Sequence, residues 1–246
     1  MTLLTFLLIA AAPPVTQPTA TTCVHAAVTS VLLHHGVPVT LDDVRRGVRS
    51  FTDGTGFFEV SRWLDEGVPE LGVDARVFRA SEGELRRLAR SGFAPIARAR
   101  SDGGQHAFVV EAVTRRHVRV MDPAEGRSVE LPRGELSARR RDADDLVLLL
   151  VPRAKAPAFA RIRVPHRRIR AEDARFRATG WDRLAREHGR LDGQACVLVA
   201  RAAASDPTWT EGLERHLSCL RAVGDPGAAV VEEQLRRLRS RRPHPR

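Results

Sequence analysis

The spacing of apolar residues along the chain changes twice, and each change marks a different kind of structure. From about residue 23 to residue 66, apolar residues recur at helical spacing. Between residues 73 and 151 they alternate with polar residues or form short apolar runs, which is typical of strands. Beyond residue 165 the helical spacing returns. Helices followed by an antiparallel sheet predict an α+β fold rather than a doubly wound parallel sheet.

Breaks and capping residues divide these three parts into elements. In the first part, a helix opened by Cys23 ends at Gly36, a second helix follows Thr40 with two acids in its first turn, and a third covers 57–66. In the second part, a capping box at Ser81 and Glu84 starts a helix that runs to about residue 90. The predicted strands are 73–77, 94–99, 106–113, 117–121, 128–131 and 146–151.

The last part predicts four helices, at 181–189, 194–204, 208–222 and 228–240. Their pairing around an Asp-Pro break is similar to a tetratricopeptide-type hairpin, but no second full copy follows at a fixed period. A plain helical cap on the first domain is the other interpretation, and both stay open. The predicted organisation is an N-terminal apolar segment (1–14), a first domain (15–152), a linker (153–170) and a helical segment with a basic tail (171–246).

The N-terminal segment carries an apolar run too short for a membrane helix and typical of a signal peptide. Ala10-Ala11-Ala12 supplies an Ala-x-Ala cleavage pattern. Two features count against cleavage, since no basic residue precedes the run and Pro13 would follow the cut. The sequence favours export, to the periplasm or outside the cell, over a cytoplasmic location. A wrongly assigned start and a buried N-terminal segment are the alternatives.

Charge and cysteine content narrow the choice of partners and compartment. The net charge of +10 comes almost wholly from scattered arginines, Lys155 being the single lysine, and aromatic residues make up only 5% of the chain. This pattern is typical of a compositional bias and does not favour a nucleic-acid partner. Three cysteines do not make a disulfide framework. In an exported protein Cys196 and Cys219 could bridge neighbouring helices, whereas in the cytosol all three would stay reduced.

Cys23 stands at the predicted start of the first helix, directly after two threonines that favour helix N-caps. The unpaired N–H groups and the positive end of the helix dipole favour the thiolate there, which is the nucleophilic form of cysteine. A short loop could bring the side-chain amide of Gln17 beside the sulfur, where it would donate to a developing oxyanion. The alternative is an ordinary buried cysteine.

Residues 105–113 and 117–123 predict two strands joined by a short loop. If the turn centres on Thr114 or Arg115, even-numbered residues of the two strands face each other. His106 then lies opposite Asp122, or on the near diagonal, at the end of an apolar face. Because a carboxylate holds an imidazole in one tautomer, the pair predicts His106 as the base for Cys23 and Asp122 as its orienting acid. A structural His–Asp hydrogen bond is the alternative.

Together these residues resemble the C39 family of papain-like cysteine peptidases, double-glycine leader peptidases found alone or in front of bacteriocin-exporting ATP-driven transporters. The resemblance covers about residues 15–151. It rests on Gln17 before Cys23 and Ala26 after it, on Gly54-Thr-Gly56, on Ala94-Pro-Ile96, and on His106 followed by Asp122-Pro123 and Gly126.

The resemblance implies a papain-like domain at 15–152, with a helical half packed on an antiparallel sheet and the active site between them. Cys23 would be the nucleophile, His106 the base, Asp122 the orienting acid and Gln17 the oxyanion donor. The enzyme would hydrolyse a peptide bond of a peptide or protein substrate through a thioester, process leader peptides, and need no metal or organic cofactor.

Two departures from the family pattern leave an alternative open. Val24 stands where the family usually has glycine, and neither a membrane span nor a nucleotide-binding motif follows the domain. The alternative is a catalytically inactive peptide-binding module, with the C-terminal helices as a docking region for a protein partner.

Overall fold

The first helix, α1 (Cys23–His34), is buried continuously from Cys23 to Leu32 rather than along a single stripe. Its polar side chains find partners inside the fold, so that burial leaves them satisfied: the Thr29 hydroxyl donates to the His25 carbonyl, and the Ser30 hydroxyl donates to the Pro13 carbonyl. After α1 the chain turns at Gly36, whose φ of +77° lies in the left-handed region that favours glycine.

The computed structural model describes residues 11–51, 54–101, 104–187 and 193–240. Residues 1–10 of the predicted signal peptide and residues 241–246 of the predicted basic tail lie outside this part. No helix within the described ranges is both long and apolar enough to cross a membrane.

A six-stranded, wholly antiparallel sheet forms the second half of the first unit, with strand order β1-β6-β2-β3-β4-β5. The predicted strands are present within a few residues of their expected ends, and the α+β class is confirmed. The strands are β1 (Val73–Arg79), β2 (Ile96–Ser101), β3 (Gly104–Val113), β4 (His117–Asp122), β5 (Arg127–Pro132) and β6 (Leu146–Pro152).

Of the remaining helices of this unit, α3, α4, α5 and α6 contact strands of the sheet, and α2 contacts α1. Both α1 and α4 contact β3, while α5 contacts β2. Phe108 and Val110 of β3 pack with Leu85 and Leu88 of α4 in the main apolar core. The helices are α2 (Leu41–Gly47), α3 (Phe57–Arg62), α4 (Glu82–Arg90), α5 (Arg133–Arg141) and α6 (Ala156–Ala160).

The predicted capping boxes of α2 and α4 are both formed, by Thr40 with Asp43 and by Ser81 with Glu84. The sequence predicts no helix at α5, because Leu136 is its single buried apolar residue and the helical period is therefore weak. Residues 153–160, within the predicted linker, form a short 3₁₀ turn and α6.

The chain divides into two compact units, Met1–Ile169 and Arg170–Arg246. The domain limits predicted from the sequence stay a prediction. Helix α7 (His166–Glu187) starts well before the predicted residue 181, and predicted residues 188–189 lie outside the described ranges. Ion pairs one turn apart, such as Arg177–Asp173 and Arg186–Asp182, support this arginine-rich helix where few apolar residues mark its period.

The second unit continues with α8 (Gly193–Ser205), α9 (Thr210–Ala222) and α10 (Gly227–Ser240), close to the predicted positions. A disulfide between Cys196 and Cys219 joins α8 to α9, with the two Cα atoms 5.6 Å apart. This is the pairing expected from the sequence if the protein is exported. Leu213 and Leu217 of α9 pack with Val231 and Leu235 of α10 in a small core of their own.

Candidate active site

Cys23 is the first residue of α1 and is buried, with 6% of its surface exposed. The prediction that the preceding threonines cap the helix is wrong in detail. Thr22 occupies the N-cap position, but its hydroxyl donates to the Thr19 carbonyl, and no side chain caps the helix. The first backbone N–H groups of α1, next to Cys23, are therefore not bonded to a capping side chain.

His106 and Asp122 are in direct contact, with 2.8 Å between His106 Nε2 and Asp122 Oδ1. Both side chains are mostly buried, at 12% and 15% exposure. The same oxygen of Asp122 accepts the Ala124 backbone N–H at 2.8 Å, which holds the carboxylate in place. Because Nε2 is engaged by Asp122, Nδ1 is the ring nitrogen left for Cys23.

The ionisation of His106 shows that all three groups interact. Burial lowers the pKa of His106, but hydrogen bonds with Asp122 and Cys23, and the charges of both, outweigh burial and raise the pKa to about 9. Burial in turn raises the pKa of Asp122, while the hydrogen bonds from His106 and Ala124 bring that pKa below its usual value. At neutral pH the pair is therefore an imidazolium and a carboxylate.

The contact between His106 and Asp122 depends on a β-bulge that the sequence does not predict. The hairpin turn is Arg115-Arg116, closed by a hydrogen bond from the Thr114 N–H to the His117 carbonyl. The prediction that the turn centres on Thr114 or Arg115 is therefore wrong. Next to this turn Val113 faces Val118, a register that alone would put His106 and Asp122 on opposite faces.

The register shifts by one residue at Glu111, between Val110 and Ala112. Beyond the shift Val110 faces Val120 and Val109 faces Met121, so that even-numbered residues face each other again. The predicted parity therefore holds at the site, and it holds because of the bulge.

Gln17 lies beside the same end of β4. Its backbone N–H donates to the Pro123 carbonyl at 2.8 Å. Its side-chain oxygen is buried and has no hydrogen-bond partner among the described residues. The structure thus brings Cys23, His106 and Asp122 together. It also bonds the Gln17 backbone to Pro123, the residue after Asp122.

Gly126 packs closely against Thr16, a role that the sequence pattern does not indicate. Its φ is +62°, and a Cβ atom there would lie 2.1 Å from the Thr16 hydroxyl oxygen. The loop after Asp122 and the segment before Gln17 approach this closely because glycine has no side chain. The Asp-Pro followed by glycine is the signal that could have pointed to it.

A cleft of about 490 Å³ opens beside the N-terminal end of α1. The residues that line it are Thr19, Thr21, Thr22, Asp42, Arg45, Arg46 and Ser50. Among the described residues, no cluster of three or more His, Cys, Asp or Glu side chains could hold a metal ion.

Comparison with known proteins places the chain in a family. The Peptidase C39 family model matches residues 11–138, just over half of the chain. A double glycine motif protease from an AMS/PCAT transporter, solved in complex with the leader peptide, is 22% identical, with a TM-score of 0.47, over 58% of this chain and 93% of that one.

The peptidase domain of Streptococcus ComA, a bi-functional ABC transporter involved in a quorum sensing pathway, is 18% identical, with a TM-score of 0.47, over 58% of this chain and 99% of that one. No curated protein matches the chain. The family predicted from the residue pattern is confirmed, and with it the papain-like class of fold: the chain belongs to the peptidase C39 family of cysteine peptidases.

Proposed function

We propose that the protein is an active cysteine peptidase that hydrolyses a peptide bond through a thioester on Cys23. The observation that carries this proposal is the convergence of Cys23, His106 and Asp122, with 2.8 Å between the imidazole and the carboxylate and a His106 pKa raised to about 9. An imidazolium beside a sulfur at a helix N-terminus stabilises the thiolate. A merely structural histidine would not need this electrostatic coupling to a cysteine.

In acylation, the Cys23 thiolate attacks the substrate carbonyl, and the tetrahedral oxyanion is held by the Cys23 backbone N–H. The His106 imidazolium then gives its proton to the leaving amine, and a thioester remains on Cys23. In deacylation, neutral His106 takes a proton from water, the hydroxide attacks the thioester, and the acid product leaves. Asp122 is a positioning residue, because it orients His106 and stabilises its charge without touching the substrate.

Gln17 is proposed as the second oxyanion donor. The amide nitrogen of its side chain would donate to the oxyanion, while its buried side-chain oxygen has no hydrogen-bond partner among the described residues. The hydrogen bond from its backbone to Pro123 ties the donor loop to the strand end that carries Asp122. The oxyanion donor and the His–Asp pair are therefore supported by one local framework.

Val24 is compatible with the proposed catalysis. Its exposed fraction is 6%, the same as that of Cys23, so both residues at the start of α1 are largely enclosed by the fold. For the substrate we propose a peptide segment that lies in the cleft beside α1. Processing of leader peptides is proposed from the family and from the related protease solved with its leader peptide.

The test is incubation of the purified protein with a mixture of peptides that includes sequences with an internal pair of glycines, followed by mass spectrometry of the products. We expect defined cleavage by the wild type and none by the variant Cys23→Ala. Equal peptide binding by both proteins without cleavage by either would favour the inactive peptide-binding module instead.

Replacement of Gly126 by alanine tests the framework behind Asp122. We expect a clash with Thr16, a displaced Gln17 segment and a fall in kcat/KM, in addition to about 1–2 kcal/mol of backbone strain. Gly72→Ala is the matched control, since Gly72 has a φ of +61° and its nearest contact would be 4.0 Å away. Thermal unfolding should therefore change in both variants but peptidase activity only in Gly126→Ala. Equal activity of the two variants would contradict the framework.

We propose further that the protein is exported. The Cys196–Cys219 disulfide supports this, since disulfides persist mainly in oxidising compartments. A role of the C-terminal helices as a docking region for a protein partner stays a prediction.

A further inference from the structure

Glu111, the bulge residue of β3, carries a carboxylate that is 98% buried at the side chain, with 2% exposed. Its Oε1 accepts the backbone N–H of Ala12 at 2.9 Å, a contact between residues 99 positions apart. Its Oε2 lies 3.0 Å from Arg119 Nε without hydrogen-bond geometry, and that oxygen has no hydrogen-bond partner among the described residues. The carboxylate is thus paired in charge with Arg119, while one of its two oxygens lacks a hydrogen-bond donor among the described residues.

The neighbouring residues hold Ala12 against this carboxylate. Ala12 is 3% exposed, and the carbonyl of Pro13 accepts the Ser30 hydroxyl at 2.5 Å. Ala11, in contrast, is exposed. Ala12 is therefore buried between an exposed residue, Ala11, and a partly buried one, Pro13.

Resting on the proposed export, we propose that the mature protein begins at Ala12 and that Glu111 is the binding site for its α-ammonium group. Hydrolysis of the Ala11–Ala12 bond by a signal peptidase adds water across the bond: Ala11 leaves as a carboxylate, and the nitrogen of Ala12 becomes an ammonium. A peptide N–H supplies one donor and no charge, whereas an ammonium supplies three donors and a positive charge. It can therefore donate to Oε1 and also to Oε2, the oxygen that pairs with Arg119 without a hydrogen bond.

This assignment removes one of the two objections to cleavage, the proline directly after the cut. A cut after Ala12, as the Ala-x-Ala pattern suggests, would leave Pro13 at the new terminus and remove the residue whose nitrogen reaches Glu111. A cut one bond earlier keeps a small residue, Ala11, before the bond and places Ala12 after it, with Ile9 at the third position before the cut.

The first test expresses the full chain in an exporting bacterium and determines the mature N-terminus by intact-mass spectrometry. We expect a protein that begins at Ala12. A mature protein that begins at Ala11 or Pro13 would overturn the cleavage assignment and leave the proposed export standing, whereas one that retains Met1 would overturn both.

The second test compares purified forms that begin at Ala11 and at Ala12, each with and without Glu111→Gln. We expect the Ala12 form to unfold about 4 °C above the Ala11 form, and this difference to vanish in Glu111→Gln. Acetylation of the Ala12 amine, which removes the charge and keeps one N–H, should abolish the difference as well. Equal melting temperatures of the two wild-type forms would overturn the role of Glu111.

Discussion

Replacement of His106 by alanine should lower kcat/KM for peptide hydrolysis by about 10³-fold, within the range for loss of a general acid–base group. The variant loses both the imidazolium that stabilises the Cys23 thiolate and the proton donor for the leaving amine. The rate of alkylation of Cys23 by iodoacetamide measures the first loss separately. We expect slower labelling at neutral pH, because the thiolate is no longer paired with a positive charge.

His117→Ala is the matched control for this substitution. His117 lies on the neighbouring strand β4, is exposed, and uses its backbone rather than its imidazole in the hairpin. Removal of the His117 imidazole should leave the rates of peptide hydrolysis and of Cys23 alkylation unchanged. If His106→Ala labels and hydrolyses as fast as His117→Ala, His106 is not the base, and the proposed mechanism is wrong.

Replacement of Asp122 by alanine should lower kcat/KM by about 10²-fold and change its pH dependence. The hydrogen bond and charge of Asp122 contribute to the His106 pKa of about 9. With the carboxylate present, activity should fall as the pH rises through about 9, where His106 loses the proton that the leaving amine needs. Without it the pKa of His106 falls, so the alkaline limb of the pH–rate profile should move to lower pH.

Asp122→Asn separates orientation from charge. The amide oxygen can still accept hydrogen bonds from His106 Nε2 and the Ala124 N–H, but the negative charge is gone. We expect this variant to recover much of the rate while its alkaline limb stays lowered. An alkaline limb that remains near pH 9 in Asp122→Ala would show that Asp122 does not control the ionisation of His106.

Much of the site could be predicted because its signals are local. The start of α1 at Cys23, the alternation of β3 and β4, and the Asp122-Pro123 strand end are each encoded within a few residues. These signals were enough to select Cys23, His106 and Asp122 and to indicate the family. The signals were weak in helices that lack a periodic apolar face. These are the arginine-rich start of α7 and α5 with its single buried leucine.

The pairing of His106 with Asp122 shows the limit most clearly. The sequence indicates two strands and a short turn, yet the turn is placed differently from the expectation, and the bulge at Glu111 restores the parity. A bulge is stabilised by contacts outside the hairpin, here between Glu111 and Ala12. Such contacts cannot be inferred from the alternation of residues in one strand.

By itself, the sequence determined most of the elements, the residues proposed for the chemistry and the family to which the chain belongs, because caps, periodicity and motif spacing act over short distances. Only the tertiary structure decided how the sulfur, the imidazole and the carboxylate meet, where the Gln17 segment is attached, and which buried carboxylate receives Ala12. Those outcomes depend on strand register and on packing between distant residues, where a shift of one position reverses the face to which a side chain belongs.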